Sequence, residues 1–84
     1  MNIYRHRFTR TCPNNGAAIA YELEIKSDEI IMVERIVRVV RTIAPSAYHE
    51  SIADALAMRL PGLHTIRAHH HGVDIETIRG EKHV

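Results

Sequence analysis

Apolar and polar positions alternate twice in the first third of the chain, and each alternation predicts a strand. In residues 2–10 (NIYRHRFTR), Tyr4, His6 and Phe8 share one face while Arg5, Arg7 and Thr9 share the other. The period returns with Ile19, Tyr21, Leu23 and Ile25 on one side and Ala18, Ala20, Glu22 and Glu24 opposite. Between the two, TCPNNG at 11–16 gathers a proline, two asparagines and a glycine, residues that set or tolerate turn dihedrals. The pair predicts an antiparallel hairpin with one dry and one wet face.

Further on, the spacing changes to three and four. Ile30, Val33, Ile36, Val37 and Val40 form an apolar stripe that predicts a helix over 29–43, with Ser27 and Asp28 as N-cap candidates and Glu29 in its first turn. Arg35, Arg38 and Arg41 make a separate stripe, and Glu34 stands one turn from Arg38. The β-branched residues keep a strand as the competing reading, but spacing and length favour the helix. Pro45 ends it. Ser46 is placed to cap a second helix over 47–60, buried through Tyr48, Ile52, Ala55, Leu56 and Leu60 and stopped by Pro61-Gly62. The remainder (LHTIRAHHH, Gly72, VDIETIR) predicts a second hairpin, with strands near 63–70 and 73–79 turning at His71-Gly72. The fold class is therefore α+β in one domain, residues 1–84. Its order is β-β-α-α-β-β, a four-stranded antiparallel sheet with both helices on one face. Two open sheet edges call for pairing, and another subunit is the natural partner.

Composition sharpens that expectation. A chain of 84 residues buries only ~60–65% of the surface its unfolded form exposes, so a homo-oligomer is the expected source of added stability. The single cysteine excludes an intrachain disulfide and a cysteine-built zinc cluster. Eleven basic against ten acidic residues leave a charge of +1, too little to steer the protein to nucleic acid or anionic lipid. No apolar run approaches the ~20 residues of a membrane span, and Arg5, His6 and Arg7 interrupt any signal-peptide core. A cytoplasmic location without membrane or nucleic-acid partners is expected.

Three features carry candidate chemistry. Cys12 follows a strand directly and sits in a turn, where a thiol is either a small half-buried residue or a nucleophile activated by nearby N–H groups. Tyr48-His49-Glu50 opens the second helix, and a carboxylate fixed there can accept two N–H bonds from a planar heterocycle. It also fits a solvated helix start, which favours acidic residues. His69-His70-His71 are adjacent, and strand alternation sends neighbours to opposite faces, so the three do not converge on one ion from a regular strand. Polar filler is the better reading. The positions of His6, His64 and His83 stay open between core, surface and site.

The run Phe8-Thr9-x-x-Cys12-Pro13-x-x-Gly16, followed by Tyr21, Val33-Glu34, Tyr48-His49-Glu50 and Arg79-Gly80, resembles the QueF nitrile reductases, which act on 7-cyano-7-deazaguanine. Their C-P-x-T-G loop, V-E helix start and F-H-E helix start occur in this order. The resemblance spans about residues 8 to 80 and implies the tunnelling fold (T-fold), which is also that of GTP cyclohydrolase I and the pyruvoyl-tetrahydropterin synthases. It implies that Cys12 attacks a nitrile to give a covalent thioimide, that Glu50 anchors the base, that His49 stands beside the reacting group and that Glu34 is a second substrate-facing glutamate. It further implies a purine- or pterin-like ligand bound between subunits.

The departures are specific. Ile19 stands where the family has a proton-donating aspartate, Asn15-Gly16-Ala17-Ala18-Ile19 replaces T-G-Q-P-D, and Arg35-Ile36-Val37-Arg38-Val39 replaces the lysine-containing run that helps hold NADPH. Capture of the thioimide by an amine, which needs no NADPH, fits these residues better than reduction. Two other readings stay open. One is a zinc-dependent pterin or GTP cyclohydrolase-like, or pyruvoyl-tetrahydropterin synthase-like, enzyme, with Cys12 and His69, His70 or His71 as ligands and Asn15 in place of a ligating histidine. The other is a non-catalytic ligand-binding T-fold.

Overall fold

The computed structural model describes residues 1–80. Its elements are β1 (Asn2–Thr11), β2 (Ala18–Ser27), α1 (Val33–Arg41), α2 (His49–Arg59), β3 (Leu63–His70) and β4 (Val73–Arg79). The four strands form one antiparallel sheet in the order β1-β2-β3-β4. The expected α+β order therefore stands. His83 lies outside the described residues.

Register fixes which side chains share a face. The row Phe8–Tyr21–Ala68–Ile75 crosses the sheet, and so does the row His6–Leu23–Ile66–Thr77 one pair along. These rows lie under the helices, where Leu23, Ile25 and Ile66 bury against Ile36, Val39 and Val40 of α1 and Ile52, Ala53 and Leu56 of α2. Adjacent rows point to the uncovered face. There Arg7, Glu22, Arg67 and Glu76 alternate in sign across all four strands, linked at 3.4, 3.4 and 2.9 Å. Arg67 also reaches Glu24 at 3.5 Å, and Arg5 reaches it at 3.1 Å. The wet face is a ladder of matched charges, as cross-strand pairing favours.

Both helices start later than the spacing predicts. Ser27 does not cap α1: its Oγ accepts the Glu29 N–H at 3.0 Å in a local turn, and the Ile31 N–H donates to the Tyr4 hydroxyl at 2.9 Å. Those bonds hold the approach to α1 extended along β1, and helix begins only after Met32. As a result Ile31 is buried, whereas Ile30 and Val33 of the expected stripe are exposed. Ser46 is not the cap of α2 either. It forms a parallel bridge with Thr11, whose N–H donates to the Pro45 carbonyl at 2.8 Å, and Tyr48 takes the N-cap position. Tyr48 is exposed rather than buried, and Ala53 takes its place in the core.

The β3–β4 turn follows the expected sequence closely. His71 and Gly72 both take left-handed φ, 52° and 76°, the condition for a two-residue turn whose twist matches that of the strands. No helix among the described residues is long and apolar enough to cross a membrane.

Candidate functional site

Cys12 stands at the point where β1 ends. Its N–H donates to the Ala17 carbonyl at 2.8 Å and its own carbonyl accepts the Gly16 N–H at 2.9 Å, closing the turn back into β2. The side chain is 8% exposed and faces a cavity of about 180 Å³. Tyr21 enters this cavity from β2, Tyr48 and His49 from the start of α2, and His70 from the end of β3. Four segments far apart in sequence thus bring a thiol, two imidazoles and two phenols to one opening.

His49 is the least satisfied group there. Neither ring nitrogen has a hydrogen-bond partner, and both are closed to solvent. The ring lies 5.5 Å from that of Tyr21, tilted by 48°. Burial pushes its pKa below the ordinary value, the Ile66 backbone and the Glu50 carboxylate oppose that shift, and Arg79 adds to it. Unpartnered buried polar atoms are costly, so a group that persists in this state is a candidate for ligand contact. Burial, and after it the Cys12 sulfur, raise the pKa of Tyr21, which keeps its hydroxyl protonated. The N-terminal end of α2 is not closed by any side-chain cap, so its free N–H groups and positive dipole end lie beside the opening.

The turn that carries Cys12 is tied down on two sides. The Tyr48 hydroxyl donates to Asn14 Oδ1 at 2.9 Å, which fixes it to α2. Asn15 Nδ2 lies 2.8 Å from His71 Nε2, which fixes it to the β3–β4 hairpin.

Of the residues singled out from the sequence, Cys12 and His49 come together and the two glutamates do not join them. Glu50 follows His49 directly but is exposed and does not line the cavity. Glu34 is exposed in the first turn of α1, at the end of the sheet near Tyr4, whereas Cys12 lies at the other end of β1. Neither glutamate forms an ion pair or side-chain hydrogen bond among the described residues, including the anticipated pair of Glu34 with Arg38. The histidine run divides three ways. His69 faces the charged side and meets Asp74 at 2.7 Å, His70 lines the cavity, and His71 sits in the turn with its ring 4.1 Å from that of His70. No three His, Cys, Asp or Glu side chains among the described residues are placed to hold a metal ion. His64 is fully buried, with Nε2 3.0 Å from the Pro61 carbonyl oxygen, and His6 is half-buried against Phe8.

His70 was legible only as one of a triplet. Its parity with His64, Ile66 and Ala68 along β3 is the signal that separates it from its neighbours. A wider, shallower groove of about 620 Å³ lies over Arg7, Glu22, Arg67, His69, Asp74 and Glu76. Its charges are already matched to one another, so the smaller cavity is the better candidate. No family model matches the chain, and neither a curated protein nor a solved structure does.

Proposed function

We propose that this protein is a T-fold enzyme of QueF-like chemistry. It binds a 7-deazaguanine, purine or pterin-type heterocycle at the seam between subunits, with Cys12 as the nucleophile. The observation that carries this reading is the shared cavity of Cys12, Tyr48 and unpartnered His49, beside the open N-terminus of α2. The Cys12 sulfur adds to a nitrile carbon, one C–N π bond breaks, and the nitrogen takes up the electron pair and a proton to give a thioimide. His49 stands next to the reacting carbon. An amine then adds to the thioimide carbon and the Cys12 thiol departs, leaving an amidine; reduction would instead need two hydrides from a nicotinamide donor, with the thiol leaving after the first.

Exposed Glu50 and Glu34 fit this scheme as groups presented to a neighbouring copy. Glu50 reads the N–H edge of the heterocycle across the seam, and Glu34 contributes from another subunit's surface. Assembly follows from the sheet edges. β1 and β4 are both terminal strands, and their unpaired backbone groups invite strand pairing that closes a barrel. In that ring the charge ladder faces the lumen.

The test is direct. Incubation with 7-cyano-7-deazaguanine gives an intact-mass increase equal to the nitrile, absent in Cys12→Ala. Light scattering gives a mass several times that of one chain. The absence of any adduct between pH 6 and 9 ends the covalent reading, and a folded monomer at micromolar concentration ends the shared site.

A further inference from the structure

We propose that His70 is the proton-exchange partner of Cys12 and that Asn15 and His71 hold it in place. This inference rests on Cys12 acting as a nucleophile, as proposed above. A thiol that acts as a nucleophile must give up its proton, and the cavity offers the groups that can take it. Besides Cys12 its titratable members are Tyr21 from β2, Tyr48 and His49 from α2, and His70 from β3, with Glu50 and Arg79 acting on His49 from behind.

Two observations separate His70 from His49. An imidazolium at His49 would be a buried charge that the Ile66 backbone and Glu50 only partly offset, because both ring nitrogens are closed to water and neither meets a partner in hydrogen-bond geometry. His70 is half-buried, so its charged form keeps contact with solvent. The second observation is the placement of His71. Asn15 Oδ1 accepts the Ala17 N–H at 2.9 Å, which fixes the orientation of the amide, so Nδ2 donates to His71 Nε2 at 2.8 Å. In that bond Nε2 accepts, and the His71 ring so held packs on that of His70 at 4.1 Å. The turn that carries the thiol thus also positions the imidazole. His70 takes the Cys12 proton, the thiolate attacks the electrophilic carbon, and the imidazolium returns the proton to the nitrogen that receives the electron pair. No external oxidant or reductant enters.

The experiment is alkylation of the full chain by iodoacetamide, followed by intact mass from pH 5.5 to 9. In the wild-type protein the Cys12 rate stays high down to the imidazole range. His70→Gln lowers the rate near pH 6.5 by about tenfold or more and restores it near pH 9, where a thiol ionises unaided. His49→Gln and Asn15→Ala each give a smaller loss near pH 6.5 than His70→Gln. Circular dichroism checks that each variant is folded, and His70→Asn replaces a His70→Gln that is not. A wild-type profile like that of a free thiol overturns the proposal, as does a His70→Gln profile identical to wild type or a loss that follows His49 instead. An unchanged Asn15→Ala profile overturns the positioning role. Iodoacetamide needs no heterocycle site. A low-pH limb without a nitrile adduct therefore breaks the substrate reading alone, and an adduct without that limb breaks the role of His70 alone.

Discussion

The helix-covered face of the sheet has two ends that treat polar groups in opposite ways. At the end near Tyr4 most are put to structural use, His64 Nδ1 being the exception. The Tyr4 hydroxyl receives the Ile31 N–H, His64 meets the Pro61 carbonyl, and Arg79 Nε donates to Asp54 at 2.8 Å. Each end carries a hollow of similar size, about 200 Å³ beside Tyr4 and about 180 Å³ beside Cys12, but the first is lined largely by Leu23, Ile25, Val33, Ile36 and Val37, whereas the second has His49 unpartnered at its wall. One sheet and one pair of helices thus supply a half packed around most of its polar groups and a half whose polar groups remain available. The difference teaches where to look for chemistry in a chain this small, since unmet hydrogen-bonding capacity is concentrated at one end.

The largest test of that contrast uses isoleucines on the same face. Ile66 is fully buried between the helices and the sheet, whereas Ile19, 6% exposed, lines the cavity. Ile66→Ala is expected to cost about 2–5 kcal/mol, and Ile19→Ala at least ~1 kcal/mol less, because the truncation at Ile19 opens into space that already exists. Urea unfolding of both variants at one protein concentration gives the comparison. Equal losses would mean that the two ends are packed alike.

The packed half was readable from the sequence and the open half was not, for a physical reason. Period-two spacing in β1 and β2 reports which side of a strand is dry, so the hairpin, its faces and the element order could be deduced. Element starts depend on long-range bonds. Ser27 and Ser46 have the chemistry of caps, but one is engaged in a turn with Glu29 and the other in a bridge to Thr11. At the site, Cys12 and His49 were identified singly, and only the register of β2 with β3 brings His70 to them. The placement of Glu34 away from Cys12 depends on how α1 runs along β1, which local spacing does not encode.

The two buried histidines sharpen the contrast through pH. Burial lowers both from the ordinary value of 6.5, with the Pro61 and Leu60 backbone opposing the shift at His64. The unfolded chain therefore binds more protons than the folded one below about pH 6.5. Stability is fully present above that value and is lost as pH falls toward the depressed folded values, by at most about 1.4 kcal/mol per pH unit for each histidine. His64→Gln should flatten this acid limb more than His49→Gln, because His64 is the more deeply enclosed. Urea midpoints measured from pH 7.5 to 5 give the two slopes. A larger effect at His49 would reverse the assignment of the packed end.

The smallest effects come from a matched pair of tyrosines, one at each end. Both hydroxyls make a single long-range tie, but in opposite senses. Tyr4 accepts the N–H of buried Ile31, and Tyr48 donates to the exposed Asn14 side chain. Removing an acceptor from an enclosed N–H leaves that donor unpaired, so Tyr4→Phe should cost about 1 kcal/mol. Water replaces the lost donor at Asn14, so Tyr48→Phe should change stability by less than about 0.5 kcal/mol. Its consequence is local instead. Without the bond to α2, the turn carrying Cys12 keeps only its tie to the β3–β4 hairpin and opens more often. Amide exchange at Asn14–Ala17 and alkylation of Cys12 near pH 9 should then rise severalfold, at nearly unchanged global stability. An equal loss of stability in both variants, with exchange unaltered in the turn, would show that Tyr48 belongs to the packed half.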